Sequence, residues 1–255
     1  MGKLFFHLLL VMSIFLPLRN LRAELTGREI IKNVLNRKTP TTTEVRVKML
    51  LTDKNQNERI REISSFSKEF PDGRRTIMKF ILPADVKGMG FLQKVRKKGM
   101  DEQFMYLPEL KRARRVTGSA RKGSFFGSDL TYEDLESRDV DEDVHTLLRG
   151  SNLDGVVVYV VESNPKDPES TQYGKVIQWI RKDNYIPIRA EFYKDGELFK
   201  KLAVEKIDKI DGFWVAQKTN IKTLKTEHST IIELLDIKNN KPIPDDVFTE
   251  RFFSR

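Results

Sequence analysis

The sequence predicts a mainly β protein with few helices (an α+β class). Its core is one continuous antiparallel sheet of roughly ten to twelve strands that curls toward a barrel. Three observations point there. Apolar and polar residues alternate with a period of two over much of the chain, as in strands with one buried face. The links between these stretches are short, which implies hairpins, because parallel neighbours need long crossovers. No linker rich in Pro, Gly or Ser divides the halves.

The chain has 255 residues. Lys3 precedes an apolar run over 4–18, Pro17 lies near its end, and Ala23 stands before Glu24. This order reads as a secretory signal peptide over 1–23, cleaved near Ala23. The run is shorter than the ~20 apolar residues of a comfortable span; the alternative is an uncleaved N-terminal anchor. Residues 24–255 are then one exported domain. There is no cysteine, so neither a disulfide nor an acylated cysteine is available, and the core must hold the fold alone. The formal charge is +9, but 37 acidic residues are interspersed with the basic ones. Nucleic-acid binding needs cations gathered on one face, and export argues further against it.

The first element after the leader is a helix over 25–38. Leu25, Ile30, Ile31, Val34 and Leu35 form one stripe, Thr26 and Glu29 make a capping box, and Pro40 stops it. Strand patterns follow at 45–51, 60–70, 75–82, 91–97 and 103–107, with turn material between them. Residues 119–148 hold Gly123, Gly127 and an acidic stretch, and predict a long loop with one or two helical turns, capped by Ser128 or Asp129. Strands resume at 156–161, 176–181, 186–193, 198–207, 213–221 and 230–237, with hairpin turns at Asp195-Gly196 and Asp211-Gly212.

A curled sheet has a concave face that a single helix cannot fill, and an apolar concavity accepts apolar guests. Met49, Phe66, Met78, Phe80, Phe91, Met105, Trp179, Phe192 and Trp214 are the candidate cavity lining; the alternative is an ordinary core. Phe125 and Phe126 plug the cavity, greet a cargo or anchor the loop, while Asp129 and Tyr132 can pin the loop to the rim. Arg96, Lys98, Arg112, Arg114 and Arg115 form one positive patch if 91–98 and 111–116 are neighbouring strands. Such a patch would meet anionic headgroups or an acidic partner; otherwise it protects an outer edge. Glu133, Asp134, Asp141, Glu142 and Asp143 read as a solvated loop face, with hydrolysis as the alternative. No metal is expected: His145 and His228 are isolated, and His7 lies in the leader. No nucleophile motif occurs, no cofactor is called for, and no enzyme activity is expected.

Three words carry a family resemblance: Phe80-Ile81-Leu82-Pro83-Ala84-Asp85-Val86-Lys87-Gly88, Met105-Tyr106-Leu107-Pro108-Glu109-Leu110-Lys111-Arg112, and Gly123-Ser124-Phe125-Phe126-Gly127-Ser128-Asp129-Leu130-Thr131-Tyr132-Glu133-Asp134-Leu135. Ile243-Pro244-Asp245-Asp246-Val247-Phe248-Thr249 is a fourth. The chain resembles the outer-membrane lipoprotein-sorting superfamily, the LolA/LolB-like proteins, above all the longer branch that accompanies RND-type transporters. The resemblance implies a half-open β-barrel covered by the N-terminal helix and a loop-helix lid. It also implies a periplasmic carrier that takes the acyl chains of a lipoprotein or lipid into a hydrophobic cavity. Such a carrier would act as a monomer, touch membranes transiently and exchange cargo between membranes or with an RND-type inner-membrane transporter. The alternative is a non-carrying accessory subunit of that transporter.

Overall fold

The computed structural model describes residues 25–254; the expected leader lies outside them. Helix α1 (Gly27–Leu35) leads into β1 (Thr42–Thr52), β2 (Glu58–Phe70), β3 (Gly73–Leu82), β4 (Gly90–Arg96), β5 (Glu102–Leu107) and β6 (Arg112–Arg115). After a long loop come β7 (Asp143–Leu153), β8 (Val156–Pro165), β9 (Lys175–Arg181), β10 (Pro187–Lys194), β11 (Glu197–Ile210), β12 (Phe213–Thr223) and β13 (His228–Asn239). They form one 13-stranded sheet in the order β6-β5-β4-β3-β2-β1-β13-β12-β11-β10-β9-β8-β7. Each neighbouring pair is antiparallel. Strands β6 and β7 are the two edges, so the sheet is open.

Thr26 and Glu29 make the expected capping box on α1. The helix ends at Leu35, earlier than expected, with Asn36 as C-cap. No apolar residue follows until Pro40, so nothing holds a further turn on the sheet. Ile30 and Ile31 are buried against Val161 and Ile180. Gly27 permits this approach: a Cβ there would lie 2.7 Å from the carbonyl oxygen of His145.

Two strands exceed the expected set, β6 and β7. Residues 143–148 were expected in the loop but belong to β7, which carries a register shift between Leu147 and Arg149. That bulge puts Leu147 and Leu148 side by side and erases the period of two. Tight turns at Asp154-Gly155, Asp195-Gly196 and Asp211-Gly212 have positive φ at both residues, the geometry of type I′ hairpins.

Residues opposed across an antiparallel ladder share a face. One face, called inner here, carries Met49, Ile63, Met78, Phe91, Met105, Ile232, Leu202 and Phe192. Helix α1 covers this face at β7 and β8, and loop residues 116–140 cover it elsewhere. The outer face carries Phe66, Ile77, Leu92 and Phe104. The C-terminal 3₁₀ turns Asp245–Phe248 and Glu250–Ser254 lie across it through Phe248 and Phe252.

The curl follows from the bonding. Gln103 on β5 donates to the carbonyl of Tyr132, and Lys200 on β11 bonds Asp134, two residues away. In the sheet those strands are seven spacings apart, about 34 Å if flat at ~4.8 Å each. Only a rolled sheet brings both to adjacent residues of one loop.

Candidate functional site

The inner face divides into a filled part and an open part. Under the loop, Phe80, Phe91 and Met49 are buried, and Met78 and Met105 pack around them. The loop supplies the opposing layer. Phe126 lies 4.5 Å from Phe80 between ring centroids, and Phe125 lies 5.1 Å from Phe91 and 5.5 Å from Tyr132. Phe126 sits at φ 48°, a left-handed conformation that costs a bulky residue ~1–2 kcal/mol. Ring packing offsets it. Five expected cavity residues therefore face the chain's own aromatics.

A polar latch holds this loop down. Asp129 accepts from Thr230 Oγ1 at 2.7 Å and faces Nδ1 of His228 at 2.6 Å, while its own N–H donates to Thr230. Asp134 accepts from Lys200 Nζ at 2.5 Å and from the Tyr173 hydroxyl at 2.8 Å. Lys200 is 1% exposed and lies over the rings of Tyr173 and Phe192. Burial, then the Asp134 charge, pushes the Tyr173 phenol up; burial takes the Tyr132 phenol to about 12. Glu133 accepts from Thr171 and Gln172, Arg61 donates to the Phe126 carbonyl, and Gln93 to the Leu135 carbonyl. Three 3₁₀ turns, Gly118–Lys122, Glu133–Leu135 and Val140–Glu142, are its only helical structure among the described residues.

Two expectations are corrected. Ser128 and Asp129 cap no helix; Ser128 bonds Phe125 within the loop, and Asp129 reaches across to β13. The acidic groups are not one solvated face. Asp141 and Glu142 are exposed as expected, paired with Arg28 and Arg138, but Asp134 and Glu133 are latch residues, and half-buried Asp143 pairs with Arg138. None keeps the free geometry of an acid–base pair.

The open part lies beside the end of α1 and the residues 37–40 that follow it. An apolar hollow of ≈ 190 Å³ is bounded by Val45, Leu234, Ile237, Val215 and Phe213, with residues 37–40 along one side. A more polar hollow of ≈ 320 Å³ adjoins it and is lined by Asn33, Asn36, Asn184, Tyr185 and Gly212. Arg37, Lys38, Phe213 and Trp214 border both. Of the expected lining, Trp214 stands here. Phe192 is inner but lies at the latch. Phe66 faces outward against Phe252, and Trp179 faces outward against Arg189. A sequence without ladder partners does not tell which of two apolar faces is inner.

The expected positive patch is divided. Strand β5 separates β4 from β6, and its Glu102 pairs with Lys94, Arg96 and Arg115. Arg112 and Arg114 are exposed on the edge strand β6, where charge discourages edge-to-edge pairing, and Lys98 lies in the turn after β4. Sequence reasoning missed Lys200, Tyr173, Arg37 and Phe213. The lysine had one signal: it occupies the inner register two residues before Leu202.

Among the described residues, no helix is long and apolar enough to cross a membrane, and no cluster of ligating side chains could hold a metal. An open antiparallel sheet with one helix and one long loop on its inner face defines a class of single-sheet hollow-bearing proteins. A family model described as "-like: Uncharacterized protein" matches residues 72–255. The chain is similar to a DUF1329 family protein from Desulfovibrio piger (28% identity, 89% of this chain and 97% of that one, TM-score 0.83). It is equally similar to a putative outer membrane lipoprotein-sorting protein domain from Vibrio parahaemolyticus (28%, 90% and 98%, TM-score 0.82). A LolA superfamily protein from Nitrosomonas europaea shares the fold (22%, 90% and 100%, TM-score 0.69). No curated protein matches the chain. The chain belongs to the family of that model and shares the LolA-like fold.

Proposed function

We propose that this protein is an exported carrier, one domain over 24–255 freed from a leader over 1–23, that shelters acyl chains on its inner face. The observation that carries this reading is the hollow beside α1, where Val45, Leu234, Ile237 and Val215 are only partly covered by the chain's own side chains. Each CH₂ taken out of water contributes ~0.8 kcal/mol, so a single long chain supplies ample affinity without polar chemistry. The two adjoining hollows together match the ~300–1,000 Å³ of ordinary ligand sites. Similarity to a lipoprotein-sorting domain supports a lipidated cargo. A cargo with several chains needs more room, and the bed of Met49, Met78, Phe80, Phe91 and Met105 becomes available when the loop lifts. Transfer then runs between membranes or to and from an RND-type transporter.

A second reading has its own support. The aromatic filling beneath the loop suits a non-carrying accessory subunit of such a transporter, with the loop permanently seated. One experiment separates the two. Protein made with its leader in a Gram-negative host is purified gently from the periplasm and examined by native mass spectrometry, alone and with palmitate. Bound lipid or palmitate uptake, abolished by Leu234→Trp, supports the carrier. Apo-protein that takes up neither favours the accessory subunit.

A further inference from the structure

The polar hollow beside α1 is not explained by a need for acyl chains. Asn184 is 9% exposed, and its Oδ1 accepts from the Ile186 N–H at 3.0 Å, which fixes the amide's orientation. Its Nδ2 is buried and has no acceptor. A buried donor left without an acceptor is costly, and the fold tolerates one just behind this cavity wall. Arg37 borders the same space. One of its five N–H donors, on Nε, meets the Val34 carbonyl at 3.4 Å, and the guanidinium pairs with no carboxylate among the described residues. Lys38 lies over the Phe213 ring at 5.6 Å and likewise has no carboxylate partner. No Asp or Glu lines either hollow. The end of α1 presents carbonyls and a partial negative charge that opposes an anion; two full cations outweigh it.

We infer that this polar hollow seats the anionic headgroup, a phosphate or carboxylate, of an amphiphile whose chain lies in the adjoining apolar hollow. Arg37 and Lys38 supply charge-assisted bonds, and Trp214 walls the mouth. This rests on the carrier reading and narrows its cargo to an acidic amphiphile. Because Arg37, Lys38, Phe213 and Trp214 border both hollows, head and tail meet at one junction, and occupancy of the two halves is coupled.

The test uses the mature chain and isothermal titration with three probes below their micellar concentrations: dodecyl phosphate, the neutral dodecyl ether of tetraethylene glycol, and inorganic phosphate. Dodecyl phosphate is expected to bind at least tenfold more tightly than the neutral ether, with an advantage that shrinks as salt rises. Arg37→Gln with Lys38→Gln, changes at partly or fully exposed positions, should erase that advantage, weakening dodecyl phosphate at least tenfold more than the ether. Equal binding of the two amphiphiles overturns the headgroup seat while the carrier reading stands. Failure of both amphiphiles overturns both. Inorganic phosphate binding as tightly as dodecyl phosphate overturns the coupled site and leaves a free-anion site in its place.

Discussion

Lys200 is paired with Asp134 at 1% exposure, so its partners decide whether the loop stays seated. Removing one member of a buried pair is far more costly than removing both. Asp134→Asn is therefore expected to destabilise the fold by about 3 kcal/mol, read as a lower urea midpoint. Lys200→Met added to it should restore much of the loss. A single variant as stable as the parent would refute the latch. His145 makes a second residue-scale prediction. Burial holds its pKa below the ordinary 6.5, with Nδ1 against Ser163 and Nε2 against the Val140 carbonyl. The unfolded chain thus binds a proton the folded one resists. Stability contributed by neutral His145 is complete above pH 6.5 and falls as pH drops from there toward the lower folded pKa. His145→Gln should flatten that part of the pH–stability curve; an unchanged slope would show that other groups cause it.

At the scale of elements, α1 is seated by a glycine. Gly27→Ala places a methyl against the β7 backbone, at 2.7 Å from His145 and 2.8 Å from the Leu147 nitrogen. Overpacking of this kind costs ~1–3 kcal/mol, so thermal unfolding should occur several degrees lower. Gly174→Ala, whose Cβ would meet nothing within 4 Å, is the control. Equal melting of the two variants would contradict this seating. The helix was legible in the sequence because its start is local: Thr26 and Glu29 satisfy each other's backbone donors. Most strands were legible for the same reason, since alternation is a property of neighbours in sequence. Strand β7 was not, because its bulge disrupts alternation where the partner strand sets the register. The site was less legible still. Phe66 and Phe80 look alike in sequence, yet they lie on opposite faces.

For the molecule as a whole, the carrier reading sets the loop and a bulky cargo in competition for one bed. Phe125, Phe126 and Tyr132 already occupy the ground that a second or third acyl chain would need. Weakening the latch should raise capacity for such cargo. The Asp129→Asn, Asp134→Asn double variant is expected to exchange amide hydrogens faster over 124–135 and to bind a diacyl lipid at least severalfold better. Faster exchange without added binding would mean that the loop moves but does not gate.

The unpaired borders β6 and β7 have a mechanical consequence. A closed cylinder changes its girth only by breaking ladder bonds between strands. A scroll with two loose margins can tighten or slacken by small changes of twist spread over many strands, every bond kept. Under the carrier reading, guests of different bulk would be wrapped by the same wall.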